Sequence, residues 1–262
     1  MKKYLSLSLR IIKLSIMSRM SYKQEFLAWA LVTTGWVAFT FIFYELLFSN
    51  VSSIAGWDKG QMYVLQGFVF LIEFLTWGFF FYSLKYLPDQ IVHGEIDKDI
   101  VKPINTQYAL SFRGFGIQHI TSLIVGIATI NYGLGLTGAT ISLQNIFIAF
   151  LAYVLVGIML YALYFMSISV SFWFDKLSNL IYLIPNSLDM ARVPIDAYKG
   201  IVKISLTYVI PVALASSVPT SIIFNQINWN SIIYLFFFSF GALFLSNYIL
   251  KQGLKRYSSA SS

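Results

Sequence analysis

The chain has 262 residues, of which 58% are hydrophobic and 11% charged, a formal net charge of +7, a mean hydropathy of +0.72 and no cysteine. These values exclude a soluble catalytic domain beside the apolar runs, and they exclude disulfides, thiolate chemistry and cysteine metal sites. The basic excess lies next to apolar runs, where anionic headgroups and membrane topology account for it, so a nucleic-acid partner is not expected.

Residues 1–25 open the chain with Leu5, Leu9, Ile12, Ile16 and Met20 at helical spacing and Arg10, Lys13 and Arg19 on flanking positions. The spacing predicts an amphipathic helix lying along the inner membrane surface, with Leu7, Ile11 and Leu14 forming a second stripe for the bundle or a partner. Arg10 and Lys13 interrupt the apolar stretch of what would otherwise resemble a secretory leader, so this segment is expected to be retained. Six apolar runs follow, each near the length of about 20 residues needed to cross a bilayer: Leu27 to Phe48, Met62 to Leu84, Phe115 to Leu136, Ile146 to Phe174, Ile201 to Phe224 and Ser231 to Leu250. The expected fold is all-α, a polytopic membrane protein of one domain over 1–262, with six spans over 26–250 and a tail over 251–262.

Basic residues orient it. Six precede the first run, four lie between runs two and three (Lys85, Lys98, Lys102, Arg113), four separate or flank runs four and five (Lys176, Arg192, Lys199, Lys203) and three lie in the tail, which leaves Lys59 as the one exception among 18. Short cytoplasmic segments retain Lys and Arg, so both termini and these two loops are expected on the cytoplasmic side of the membrane.

Glu45, near the outer end of span one, and Glu73, near the middle of span two, have no Lys or Arg within a span core to neutralise them. Carboxylates at such depth usually face a bundle interior or a water-filled path. They are candidates, Glu73 foremost, for attracting a cationic amphipathic substrate, with Glu73 hydrogen-bonded to a neighbouring helix as the structural alternative. The loop after span two, from Lys85 to Gly114, balances Asp89, Glu95, Asp97 and Asp99 against its four basic residues, so its net charge is zero. Ile96, Ile100 and Val101 interleave at short-helix spacing and Pro103 stops the helix. Acids contribute little to topology, so a patterned neutral loop suits docking against a protein partner. His119 falls one turn inside span three and joins Glu73 and Glu45 as a substrate-path candidate, although a packing role is expected for it; with His93 it is too isolated to form a metal site. Gly133, Gly135 and Gly138 make one G-x-G-x-x-G, but with no preceding strand it reads as helix packing or chain reversal. In span five, Pro211 and Pro219 break the hydrogen-bond ladder around Ala213, Ala215, Ser216 and Ser217, so the outer half is expected to bend or re-enter and to form a gate.

The run Gly94, Glu95, Ile96, Asp97, Lys98, Asp99, Ile100, Val101, Lys102, Pro103 resembles the cytoplasmic loop of six-span permeases of the ABC-2 type, in a bacterial branch formerly catalogued as a domain of unknown function with drug or viologen exporters among its members. Arg192, Pro194, Tyr198, then Ile210, Pro211 and Pro219, resemble that branch's segment around span five. The resemblance implies a permease subunit of an ATP-driven exporter. It would work with a separate ABC ATPase, docked through Gly94, Glu95, Ile96, Asp97, Lys98, Asp99, Ile100 and Lys102, and with a second permease, identical or homologous, among membrane lipids. ATP and Mg would sit on the ATPase: no G-x-x-x-x-G-K-[ST] loop occurs in this sequence, and no catalytic or cofactor site is expected in it. The substrate is expected to be an amphipathic or cationic small molecule, a lipid or a peptide. The alternatives are the substrate-binding membrane subunit of a vitamin importer, or a channel outside the ABC class.

Overall fold

A computed structural model describes residues 2–20, 23–174 and 178–257, and among these there is helix but no strand. In chain order the helices are α1 (Lys2–Met20), α2 (Lys23–Phe48), α3 (Lys59–Leu75), a π-helical stretch Thr76–Phe81 running into α4 (Tyr82–Leu84), α5 (Leu87–Val92), α6 (Asp97–Ile100) and α7 (Thr106–Ser111). They continue with α8 (Ile120–Thr137), α9 (Leu143–Ser169), α10 (Leu183–Ser187), α11 (Gly200–Ile204), α12 (Leu214–Ile223) and α13 (Trp229–Arg256). Side-chain caps set several starts. Asp58 accepts from the Gln61 N–H while the Gln61 side chain accepts from the Asp58 N–H, a reciprocal capping box on α3. Ser142 and Asn228 cap α9 and α13 one way, each accepting from the N–H three residues on.

Five helical stretches are long and apolar enough to cross a membrane: 27–48, 59–92, 117–137, 143–172 and 229–256. Their outward faces stay apolar, with Leu31 73%, Phe237 70% and Phe244 77% exposed, while the interior holds Gln66, Thr76, Ser239 and Ser246 at 0–1%. An apolar exterior around a partly polar interior is what a lipid solvent selects, because hydrocarbon solvates Leu and Phe but satisfies no hydroxyl. Accordingly, Ser239 Oγ donates within its own helix to the Leu235 carbonyl and lies 2.9 Å from the Leu155 carbonyl on α9.

Helices α3 and α8 approach backbone to backbone through glycines. A Cβ added at Gly133 would stand 2.6 Å from the Gly60 carbonyl oxygen, and one at Gly67 would stand 2.8 Å from that of Gly126, whereas Gly135 faces open space. Gly138 closes α8 with φ +59°. The glycine-rich motif therefore does what its setting predicts, packing a helix at Gly133 and reversing the chain at Gly138. Gly133→Val is expected to cost about 1–3 kcal/mol through overpacking and to lower the thermal midpoint in detergent. Gly135→Val should leave that midpoint within error of the parent.

The fifth predicted span is not one straight helix but a sharply bent pair. Gly200–Val209 and Leu214–Ile223 are helical, but the two halves meet at 86° across a four-residue break containing Pro211. Both ends of this bent pair reach the same end of the bundle: Ile195 and Asp196 before it, and Gln226 and Asn228 after it, line one cavity with Trp57. The pair thus enters and leaves from the end that carries the Ser49 to Asp58 loop. Pro219 lies inside α12 without ending it, so of the two prolines only Pro211 marks the break. The helix continues past Pro219 amid hydroxyls, with Thr220 Oγ1 donating to the Ser216 carbonyl and Ser221 Oγ to that of Val218.

Residues 178–197, expected from the sequence to be an inner loop, instead run alongside the bundle next to α3. Tyr182 packs on Phe81 near one end of the bundle, Arg192 reaches Glu73 at mid-depth, and Ile195 lines a cavity with Trp57 at the other end. From Phe81 to Trp57 is 24 positions along the chain, about 36 Å at helical rise. Of the basic residues placed inside, Lys176 lies outside the described residues and Arg192 is mid-bundle. Lys199 and Lys203 follow Asp196 toward the opposite end, and Lys203 Nζ stands 3.0 Å from Asp196. The physical reason is that 178–197 is only in part regular helix, with Pro185 and Pro194 and polar residues throughout, so it shows no apolar run. It is a chain of short 3-10 and α-helical turns, and side chains satisfy backbone groups near their breaks: Ser216 Oγ donates to the Ala191 carbonyl at 2.5 Å, Ser217 Oγ accepts from the Ile195 N–H at 3.1 Å and Tyr198 donates to the Met190 carbonyl.

Candidate functional site

At the end opposite Trp57, the loop 93–116 is held by buried ionic contacts. Its Asp99, 3% exposed, accepts from Lys102 at 2.7 Å and from Arg113 at 2.5 Å, and Arg113 also donates to Gln90. Burial pulls the Arg113 guanidinium below its usual pKa, and the charge of Asp99 opposes this. Ile96 is fully buried beside Asp99. The expected docking residues therefore divide: Ile96 and Asp99 face inward, Gly94, Asp97 and Ile100 are partly buried, and Glu95, Lys98 and Lys102 are exposed together with Val101.

Helix α1 packs on this loop. Tyr108 donates to the Tyr4 carbonyl at 2.9 Å and lies 2.6 Å from Ser8 Oγ, Tyr4 accepts from the Asn105 N–H, and Ser15 Oγ accepts from the Phe115 N–H. The half-buried face of α1 runs through Leu7, Ser8, Ile11, Ile12, Ser15 and Ile16, while Leu5 and Leu9 of the first predicted stripe are exposed. The end of α13 arrives at the same place, with Gly253 against Phe172. There Tyr257 lies by Asp97, and burial together with that carboxylate pushes its phenol up to about 12. N-terminal helix, loop and C-terminal helix thus meet at one end of the bundle.

The second feature is a cleft of about 330 Å³ between α2, α3 and α8. Glu73, Trp77, Phe81 and Lys85 line it from one side at four-residue spacing along α3, the π-helical stretch and α4; Trp29 and Trp36 close it from α2, and His119 from the start of α8. His119 packs between Trp29 and Trp77, with ring centroids 5.8 and 6.3 Å away. Of the path candidates, Glu73 and His119 are brought together here. Glu45 is elsewhere, near the Trp57 end, where it accepts from Tyr63 and pairs with Lys59 at 2.6 Å.

Neither carboxylate is without a cation, contrary to the expectation from the spans alone. Arg192 Nη2 meets Glu73 at 2.5 Å, its Nε meets Asp189 at 3.0 Å, and its guanidinium lies 5.3 Å from the centre of the Trp36 ring. Sequence reading missed Arg192 as a bundle residue because it assigned the whole of 175–199 to a loop. The signal available was Arg192 itself, a basic residue flanked by apolar Met190, Ala191 and Val193.

A family model described as ABC-2 family transporter protein matches residues 34–261. No curated protein and no solved structure matches the chain.

Proposed function

This chain belongs to the ABC-2 family of transporter proteins, and from that premise we propose that it is the permease subunit of an ATP-driven exporter, docked to a separate ABC ATPase through the exposed face of loop 93–105. The observation that carries the docking assignment is the division of that loop into a buried anchor, Ile96 and Asp99 with Arg113, and an exposed mixed-charge surface, Glu95, Lys98 and Lys102 around Val101. A loop stapled to the bundle transmits a push; a free loop would absorb it. Helix α1 and the end of α13 border the staple, so movement of the loop reaches α2 and α13 directly. Free energy enters through ATP and Mg on the partner, and this chain contributes the path. In this reading a second permease, identical or homologous, completes the membrane part among lipids, and the basic end carrying both termini faces the cytoplasm of a bacterial cell. The substrate is an amphipathic or cationic small molecule, a lipid or a peptide.

Reversing the exposed charges in Glu95→Lys/Lys98→Glu should sharply reduce recovery of the ATPase in mild-detergent co-purification, since like charges set against each other at an interface cost several kcal/mol. The thermal midpoint of the permease alone should be unchanged. Full recovery of an ATPase with substrate-stimulated hydrolysis would sink the docking assignment.

A further inference from the structure

We infer that the cleft between α2, α3 and α8 is a site for a planar aromatic cation, and that Arg192, which holds the cleft's Glu73 and lies over its Trp36, acts in the resting state as a tethered stand-in for that ligand. This deepens the permease reading and rests on it for its role in transport. The cleft volume, about 330 Å³, falls within the range of small-molecule sites, roughly 300–1,000 Å³. Three of the chain's six tryptophans line it, which presents the negative faces of indole rings to whatever enters. One of those faces already holds a cation, the Arg192 guanidinium over Trp36 at 5.3 Å, and the same guanidinium is paired with the carboxylate on the cleft wall. An aromatic face plus a buried carboxylate is the chemistry that recognises a flat, delocalised positive charge, and a guanidinium is such a charge.

Exchange is favoured by the way the charges are shared. Arg192 has two acidic partners, Glu73 on the cleft wall and Asp189 three residues back on its own segment. When an incoming cation takes Glu73, Arg192 keeps Asp189, so neither charge is left bare, and two carboxylates then face two cations. The other ionisable groups on the wall are Tyr82; His119, stacked between Trp29 and Trp77; and Lys85, at the far rim and 4.7 Å over the Tyr86 ring. Lys85 is twelve residues along from Glu73, about 18 Å at helical rise, too far to compete for its carboxylate.

The exchange would also move something. Glu73 ties Arg192, and through it the segment 178–197, to α3. The neighbouring Ala191 carbonyl is held by Ser216 of α12, so the ion pair links the cleft to the re-entrant hairpin. Releasing Arg192 frees one end of that linkage, which lets an occupied cleft loosen the hairpin at the Trp57 end.

The test uses the full chain in detergent at pH 8, with N-methylacridinium as the cation and 9-methylacridine as its neutral counterpart, binding being read by quenching of tryptophan fluorescence on the monodisperse fraction. Removing the competitor in Arg192→Gln should tighten N-methylacridinium binding about tenfold. Glu73→Gln should weaken it at least tenfold, and neither change should move 9-methylacridine more than twofold. Weaker or unchanged cation binding in Arg192→Gln, or unchanged binding in Glu73→Gln, overturns the proposal. If Arg192→Gln does not fold, Arg192→Lys is read instead, with the same sign and a two- to threefold effect expected. The Glu73→Gln/Arg192→Gln pair serves as a neutral, shape-conserving control that should bind the two probes equally. ATPase co-purification is scored separately: intact docking with no cation site refutes this inference alone, whereas lost docking with a cation site present refutes the permease assignment alone.

Discussion

A single cysteine at Lys199 or Lys203 is expected to react with a membrane-impermeant maleimide from the same side as a cysteine at Asp58, and from the opposite side to one at Lys98. The chain has no native cysteine, so each variant reports one position against a silent background. The expected contrast is nearly all-or-none, because a charged maleimide does not cross the bilayer and the two ends lie some 36 Å apart by the length of helix between Phe81 and Trp57. Three placements predict this result. Ile195 and Asp196 share a cavity with Trp57, Gln226 and Asn228; Lys203 pairs with Asp196; and Tyr234, in the second turn of α13, donates to the Tyr208 carbonyl. Labelling of Lys199→Cys and Lys203→Cys from the Lys98 side would instead restore the topology that counting basic residues suggests. It would make 178–197 a loop and the bent pair a kinked span.

Asp99→Ala is expected to abolish ATPase recovery although Asp99 itself offers almost nothing to a partner. The substitution leaves Arg113 buried without its carboxylate, and breaking a buried pair by removing one member costs about 3–5 kcal/mol. That cost falls on the loop, where Lys102 loses the same partner, so hydrogen exchange over 93–105 should rise strongly while α3, α8 and α9 stay protected. Lys98→Ala, at an exposed position on the same short helix, should leave exchange unchanged. Combining Asp99→Asn with Arg113→Gln removes both charges and should recover protection that either change alone loses, because members of one network couple. Protection in Asp99→Ala equal to the parent would show that the staple does not hold the loop.

Much of this molecule is legible in its sequence. The composition and the runs around Leu27, Met62, Ile146 and Ser231 specify membrane helices, because length and apolarity are what a bilayer demands of a segment whose backbone bonds are made within itself. The glycine pattern around Gly133 and the prolines of 200–223 likewise announce close packing and a bend, since both act through the backbone at their own positions. Pro219 shows the limit of that reading: its ring removes a donor wherever it sits, but whether the helix then ends depends on its neighbours.

What the tertiary structure alone decided is where charges go once helices pack. Glu73 and Arg192 are 119 positions apart and meet only because the segment 178–197 runs beside α3, and that segment carries no single periodic signal because it is built of short 3-10 and α-helical turns rather than one long helix. Lys59 and Glu45 meet across the turn at the Trp57 end for the same reason, and Asp99, written in the sequence as one more acid in a neutral loop, is turned inward by Arg113. The sequence by itself determined the solvent, the class of fold and most of the spans, which depend on local length and apolarity. Charge pairing depends on distance in space, so the partners of its acids, and with them the side of the bundle on which Lys199 and Lys203 lie, were decided by packing.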